Sequence, residues 1–589
     1  MALTFSSNVN FGGGLRIGNP VFGPAALFSA GEIGVWYDPS DFSTMFQDTA
    51  GTTPVTAVEQ PVGLILDKSQ GLVLGSELTT NGSFDTNTAW TKSAGITISG
   101  GQCVLTAAAA ISSALYQSAA VSVGKWYRYE IVVSSFSSGN IQPRLFGMAS
   151  HFGAILGAGT YVYYGSPTSA NTNVGFGLGA TTTATIDSIS VKELPGNHAV
   201  AANNGAARPI LRNRYNLFQY SEALDNAYWR QQECTLAVTL DTTDPLGGSG
   251  AYKYTKNNAN PDYLNSASAI TVVGASNHTI SVYAKRGDQD WLRIAGFTSA
   301  AGAVHFNAWF DLNTGTVGST TTASGGSVVG SSIVSVGNGW YRCTVTGATA
   351  SGTTTLYPTF SMVTADGATT RPAAASFVYL WGAQVTTAAD NTAINGEYQR
   401  IAAATDYNSD LTKFPVYLYA TTDDSMSTAA IDFSVGDEMS VFAGVTKESD
   451  AATGVIYELS ADSGLNNGTF FGDSESGIYQ VRSKGTAQAS TGSAITPYSA
   501  PSTNVLSHLC KIITDTLKAR VNGVEISSIA SDQGTGNYGN YPLYLFARNN
   551  SSFFYTGRLY SLIVRNKLTT GTDLTNTEAW VADKTGVVI

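Results

Sequence analysis

Charge is scarce in this chain. Of its 589 residues only 12% are Asp, Glu, Lys or Arg, about half the share of an average globular protein. Ser, Thr, Asn and Gly must therefore cover the surface. Cysteine is scarcer still: Cys103, Cys234, Cys343 and Cys510 stand far apart without a Cys-x-x-Cys. That spacing excludes a zinc knuckle and defines no disulfide framework, so buried free thiols are expected. The five histidines, His151, His198, His278, His305 and His508, lack metal-binding spacing. Basic residues form no run and the net charge is -11, which argues against a nucleic-acid partner. No stretch approaches the roughly 18 apolar residues of a membrane helix, so no membrane insertion is expected. Residues 1–7 have no basic region ahead of an apolar core and do not read as a secretory signal.

What is present is turn-forming and aromatic: 62 glycines, 29 tyrosines and 25 phenylalanines. Together with short alternating segments, this predicts an all-β protein of several domains. The central stretch, residues 216–401, runs from Asn216-Leu217-Phe218-Gln219-Tyr220-Ser221-Glu222 through Ser281-Val282-Tyr283-Ala284-Lys285 and Gly339-Trp340-Tyr341-Arg342 to Trp381-Gly382-Ala383-Gln384. Its period of two indicates strands with one buried face, and the number of strands indicates a two-sheet jelly roll. Residues 76–195 repeat that module in outline, with Leu78 through Trp90 corresponding to Leu217 through Trp229. Residues 402–589 carry another set of alternating strands, and residues 577–584 a short terminal helix with Glu578, Trp580 and Val581 on one packed side.

The remaining segments read as connections. Residues 1–75 form an attachment arm and adaptor, in which Leu15, Ile17, Val21, Phe22, Leu27 and Phe28 are apolar residues available to lie across a partner protein. A flexible terminus is the alternative. Residues 196–215, with Asn203-Asn204-Gly205, Arg208-Pro209, Arg212 and Arg214, form a linker.

Three blocks carry a family resemblance. The Asn-Leu-x-x-Tyr-Ser-Glu opening with Trp229, the Gly-Trp-Tyr-Arg block and the Trp-Gly-Ala-Gln close resemble the carbohydrate-binding-module-like jelly rolls of tailed-phage virion proteins. Gly34-Val35-Trp36-Tyr37-Asp38-Pro39-Ser40-Asp41 resembles a region near the front of phage tail and fibre proteins. Arg520-Val521-Asn522-Gly523 and Phe554-Tyr555-Thr556-Gly557-Arg558-Leu559-Tyr560 resemble concanavalin A-like, laminin G-like lectin domains. The resemblance implies a virion component made in the host cytoplasm: a tail fibre, spike or capsid fibre. It further implies contacts to other virion proteins, a homo-oligomer, expected as a trimer, and a host-surface glycan as ligand. A purely structural decoration or adaptor protein and a polysaccharide depolymerase are the alternatives.

Catalytic chemistry finds little support. Gly472-Asp473-Ser474 resembles an esterase nucleophile block but lacks a downstream Asp-x-x-His, and a β-turn is expected there. The carboxylate spacing of lectin-fold glucanases is missing, so no catalytic residue is assigned. Asp423 and Asp424 offer oxygen ligands for a calcium ion, with a solvated turn as the alternative; no other cofactor is expected. Glycan stacking needs exposed aromatics, and the candidates are Trp291 and Trp309 in central strands and Tyr538, Asn540 and Tyr541 in a C-terminal loop. Trp90, Trp126, Trp229, Trp340 and Trp381 are expected to pack in cores.

Overall fold

The computed structural model describes residues 22–589 apart from 203, 204, 206, 259, 300, 301, 463–465 and 491–497, with backbone alone at 9–11, 15–17, 489 and 490. The chain is all-β, built as tandem sandwiches. Among the described residues the α-helices are Ala388–Ala393 and Gly571–Thr585. The second starts earlier than expected from the sequence. It buries Thr577, Glu578, Val581 and Ala582, while Trp580 meets Trp36 edge-on at 5.7 Å.

The first module closes around Tyr129, Ile131, Leu145, Phe176, Ile186 and Val191. Its seven strands belong to one sheet, held together by the long strands Tyr127–Leu145 and Asn173–Glu193. Their pairing breaks register repeatedly between Val132 and Ile141. Bulges of this kind bend and twist strands, so one sheet can supply both walls of a core.

The central module is a two-sheet sandwich. One sheet contains Trp291–Phe297, Val304–Asp311 and Thr355–Val363; the other contains Asn277–Arg286, Trp340–Ala348 and Phe377–Thr387. Ile280, Val282, Ile294, Phe310, Phe360 and Val385 fill the space between them. The internal repeat is visible in a hydrogen bond. Trp229 Nε1 donates to Tyr220 O at 2.9 Å, and Trp90 Nε1 donates to Asn81 O at 2.9 Å. Both acceptor residues have positive φ, 49° at Tyr220 and 55° at Asn81. The equivalent tryptophans thus pin equivalent turns.

The C-terminal sandwich is not a contiguous piece of chain, which corrects the expected boundaries. Its eight-stranded sheet includes Gly34–Tyr37, paired with Gly557–Arg565, and Ile210–Arg212, paired with Tyr417–Ala420. Its nine-stranded sheet includes Met45–Phe46, Leu64–Ile65 and Ala199–Ala201. The adaptor and the linker are therefore strands of this domain. Val35, Tyr37, Met45, Ile65, Ala199 and Leu211 lie in one core with Val441, Leu506, Leu545 and Leu562. The physical reason is burial: fully apolar strands such as Gly34–Tyr37, buried at every position, gain most between two covered faces. Buried Asp67 joins the segments. It accepts from Trp36 N (2.7 Å) and Asn197 N (2.8 Å), and its own N–H donates to His198 Nδ1 (2.8 Å).

A buried ion pair locks the central module to this sandwich. Arg558 Nη1 lies 2.6 Å from Asp390 Oδ1 and its Nε 2.8 Å from Glu448 Oε1. Asp390 belongs to the helix Ala388–Ala393, capped by Thr387, whose side chain accepts from Asp390 N. Removing one partner of such a pair strands a buried charge. Asp390→Ala is expected to cost about 3–5 kcal/mol, read as a lower urea midpoint; an unchanged midpoint would contradict the assigned lock.

Buried histidines set the acid limit. Burial pushes His198 and His508 down to about 3 and His278 to about 4. Below pH ~6.5 the unfolded chain takes up protons that the fold refuses, so stability falls with falling pH by about 1.4 kcal/mol per unit per histidine. The loss runs from pH ~6.5 down toward the folded values. Urea midpoints are expected to drop between pH 7.5 and 5, and to drop less for His508→Gln. A flat profile would contradict neutral burial.

Candidate functional site

The outward face of the central module's second sheet carries a row of three side chains on three adjacent strands. Tyr283 stands opposite Arg342 on one side and Trp381 on the other. Alternation alone would not place Trp381 there. Leu380, Ala383 and Val385 all face the core, and the parity is reset at a bulge, where Val282 pairs with Ala383 but Tyr283 with Trp381. Gly382 is the extra residue, at φ +56°. A Cβ there would sit 3.1 Å from both Tyr283 and Tyr398 rings. Glycine is thus required twice, for its backbone and for close approach.

Tyr398 completes an aromatic cluster, 5.6 Å from Tyr283 and 5.1 Å from Trp381, with Tyr283 and Trp381 5.3 Å apart. The opening motif of the module holds it in place. Ser221 Oγ lies 2.9 Å from Tyr398 Oη and accepts from Ile401 N at 2.9 Å. Asn216 reaches the same region, donating to Ala383 O and Gln399 O at 3.0 Å each. The quoted Asn-Leu-x-x-Tyr-Ser residues therefore act as braces beneath the cluster.

The cluster opens on a cleft of about 750 Å³, lined also by Glu222, Arg342 and Arg400 and rimmed by Leu246, Val334 and Val336. The three rim residues are exposed, Leu246 by 78%. Arg342 lies 5.7 Å over the Tyr283 ring, donates to Gly396 O and Ser281 Oγ, and keeps a buried Nε with no partner among the described residues. Burial raises the Glu222 carboxyl above its ordinary value, with Asp244 adding to the shift while Arg400 and Tyr398 oppose it. Concave aromatic surface with a few convergent polar groups suits a ligand that offers C–H faces and hydroxyls.

The residues expected from sequence fall elsewhere. Tyr538 is 1% exposed, packs in the C-terminal core and bonds Ser483, so it cannot stack on a ligand. Asn540 is exposed but begins the strand Asn540–Leu545; Tyr541 packs at the edge of that core with its hydroxyl on Asn467 O. The presumed loop is strand because Asp432 and Ile431 pair with Asn540 and Tyr541. Trp309 is buried and donates to Ala368 O at 2.8 Å, while Trp291 is half-buried. Asp424 is buried and accepts from Thr421 N and Oγ1 at 2.8 Å; Asp423 binds the same hydroxyl. They close a turn, and no third acidic, His or Cys ligand gathers with them among the described residues. Gly472-Asp473-Ser474 is interior strand, within Thr469–Glu475, rather than a turn.

Of the anchoring residues, Leu15 and Ile17 lie where only backbone is described and Val21 lies outside the described residues. Leu27 is buried, and Phe22 and Phe28 pack with it against Trp36, Phe442 and Val581 of the same chain. Those three are occupied by the C-terminal sandwich. Trp340 and Trp381 are buried as expected, but in a cluster with Ala251 on the outward face. Tyr283, Arg342, Tyr398 and Glu222 were not anticipated. In Ser281-Val282-Tyr283-Ala284-Lys285, a large aromatic on the polar side of an alternating strand was the available signal.

No protein-family profile and no curated protein sequence matches the chain. Among solved structures it is similar to NanB sialidase from Streptococcus pneumoniae, with 17% identity over 27% of each chain and a TM-score of 0.22. It is also similar to the CBM40 of Ruminococcus gnavus IT-sialidase bound to α2,3 sialyllactose, at 12% identity over 25% of this chain and 83% of that one, TM-score 0.20. The botulinum neurotoxin type G receptor-binding domain matches at 11% identity over 29% and 43% of the two chains, TM-score 0.22. The match spans about a quarter of the NanB chain. Likenesses of this score transfer neither ligand nor activity to this chain.

The bulge glycine is the sensitive point of the site. Gly382→Ala is expected to cost about 1–2 kcal/mol from its left-handed backbone and to change tryptophan emission as the rings move. Unchanged emission and urea midpoint would show that Gly382 does not position the cluster.

Proposed function

We propose that this protein is a non-enzymatic virion component of a tailed phage, an appendage that contacts a host-surface glycan through the cleft of its central module. The observation that carries the glycan reading is a cleft in which the half-buried rings of Tyr283 and Tyr398, backed by buried Trp381, stand beside Glu222, Arg342 and Arg400. Aromatic faces stack on sugar C–H surfaces while the charged groups take hydroxyls. The phage reading is supported by the sequence blocks at Gly34–Asp41, in the central module and in the C-terminal domain. Weak single sites suffice when several copies are displayed together, because the second contact is intramolecular. A homotrimer would provide that display.

Attachment to the virion is assigned to residues 1–21, which include Leu15, Ile17 and Val21. Residues 34–65 contribute strands to the C-terminal sandwich, so an anchor-deletion variant must retain them. Deleting residues 1–21 is expected to abolish incorporation into virions while leaving cell binding intact.

Binding of the purified full-length protein to host cells tests the glycan reading. Tyr398→Ala and Tyr283→Ala, each folded by circular dichroism, are expected to weaken cell binding at least tenfold, and added host polysaccharide to compete. Incubation with that polysaccharide should release no reducing ends. Unaltered cell binding by both variants would remove the cleft from the account. Virion incorporation without any cell binding would favour a structural decoration protein.

A further inference from the structure

The other sheet of the central module holds a buried cation with no counter-charge among the described residues. Arg293 is 6% exposed and lies on the face of Trp291–Phe297 turned away from the core, since Leu292 and Ile294 are the core residues of that strand. Its Nε and Nη2 both reach Asn307 Oδ1, at 2.9 and 2.5 Å. Its guanidinium sits 5.6 Å from the Trp309 ring and 5.7 Å from the Phe297 ring. Among the described residues no carboxylate lies within ion-pair distance of it. The nearby charge is another cation, Arg371, and burial together with Arg371 pulls the Arg293 guanidinium down to about 10. Asp262, the acid closest to Arg371 at 3.8 Å, is shared with Lys256 and takes the Tyr254 hydroxyl at 2.6 Å.

Burying a guanidinium without an anion is costly, and such groups are ordinarily paired. Two rings offset part of that cost, but they leave donors unused. The Nε–H and one Nη2–H serve Asn307, so Nη1 and the second Nη2–H form an end-on fork that no described residue occupies. A two-donor fork matches a carboxylate. The face around it mixes one large ring with small polar residues: Ser361 and Trp309 stand opposite Arg293, and Thr359 and Asn307 flank Ala295. Buried Asn265, opposite Thr359, has an unpartnered Oδ1.

We propose that Arg293 is the anion-recognising residue of a second saccharide site, on this outward face, which takes an acidic sugar through its carboxylate. Arg293 grips the carboxylate end-on and Asn307 holds the guanidinium in plane. The ligand class rests on the glycan-binding reading above; the site lies on the opposite sheet from the aromatic cleft and is tested separately.

Titration calorimetry of the full-length protein with oligogalacturonate, with the same oligosaccharide carboxyl-reduced to its neutral form, and with inorganic phosphate provides the test. The native protein is expected to bind the uronate at least tenfold more tightly than the neutral form, and phosphate only weakly. Arg293→Met should lose that preference, Arg293→Lys should keep part of it, and Tyr398→Ala in the aromatic cleft should leave it unchanged. Stability separates function from packing: removing an uncompensated charge is expected to raise the melting temperature of Arg293→Met, whereas a purely structural guanidinium would lower it. Equal affinity of native protein and Arg293→Met for the uronate overturns the proposal, as does the absence of uronate binding. If uronate binding is absent while Tyr398→Ala still weakens attachment to cells, this site fails and the glycan reading stands. Tighter binding of phosphate than of uronate would reassign the site to a phosphate ester and likewise overturn the proposal.

Discussion

The ladder between Gly34–Tyr37 and Gly557–Arg565 ties the beginning of the described chain to its end, and the rest of the molecule is arranged by that closure. Val35 pairs with Val564 and Trp36 with Ile563, so the C-terminal sheet is finished only when the N-terminal segment arrives. Arg565 secures the same junction, meeting Glu32 at 2.6 Å and the Leu27 carbonyl at 2.6 Å. Because Ala199–Ala201 and Ile210–Arg212 also enter this domain, the first and central modules leave it and return to it as long insertions. Their ends are fixed in shared sheets. Hinge motion between modules would have to break strand pairing, and the Arg558–Asp390 pair adds a second restraint for the central module.

That rigidity matters for the cleft. Its floor is sheet, its depth is set by one bulge, and its far wall, Tyr398 and Arg400, belongs to the segment leading back to the C-terminal domain. Tyr215, Phe414, Tyr417 and Tyr560 pack directly behind that segment with Ile394. The aromatic rings are thus held from both sides before any ligand arrives, which lowers the ordering cost of binding. A surface with few charges favours the same outcome, since stacking and hydroxyl contacts meet little competition from long flexible ions.

The sequence made the fold class and the repeat legible for a physical reason: alternation reports which face of a strand is buried. It does not report the partner. Gly34–Tyr37 reads as a short apolar strand whether it pairs locally or with a strand more than five hundred residues away, so the adaptor and linker were separated from the sandwich they complete. The same limit applies to Tyr538. Flanked by glycines and asparagines it looks like a loop aromatic, yet Gly468 lets its backbone approach that of Asn537–Gly539 closely enough to bury it. Trp381 shows the reverse case. Strict alternation would turn it inward with Ala383, and only the left-handed Gly382 puts the two on opposite faces. Trp309 lies opposite Arg293 in register and Trp291 two residues before it on the same strand, but nothing in the sequence shows that this guanidinium is buried without a carboxylate partner among the described residues.

The most direct measurement is hydroxyl-radical footprinting of the full-length protein with and without host-envelope polysaccharide, read residue by residue by mass spectrometry. The account predicts protection of Tyr283 and Tyr398 and of the rim residues Leu246, Val334 and Val336, with Tyr541 and Phe553 of the C-terminal domain unchanged. Protection confined to the C-terminal domain, with Tyr398 and Leu246 oxidised at the same rate in both samples, would contradict it.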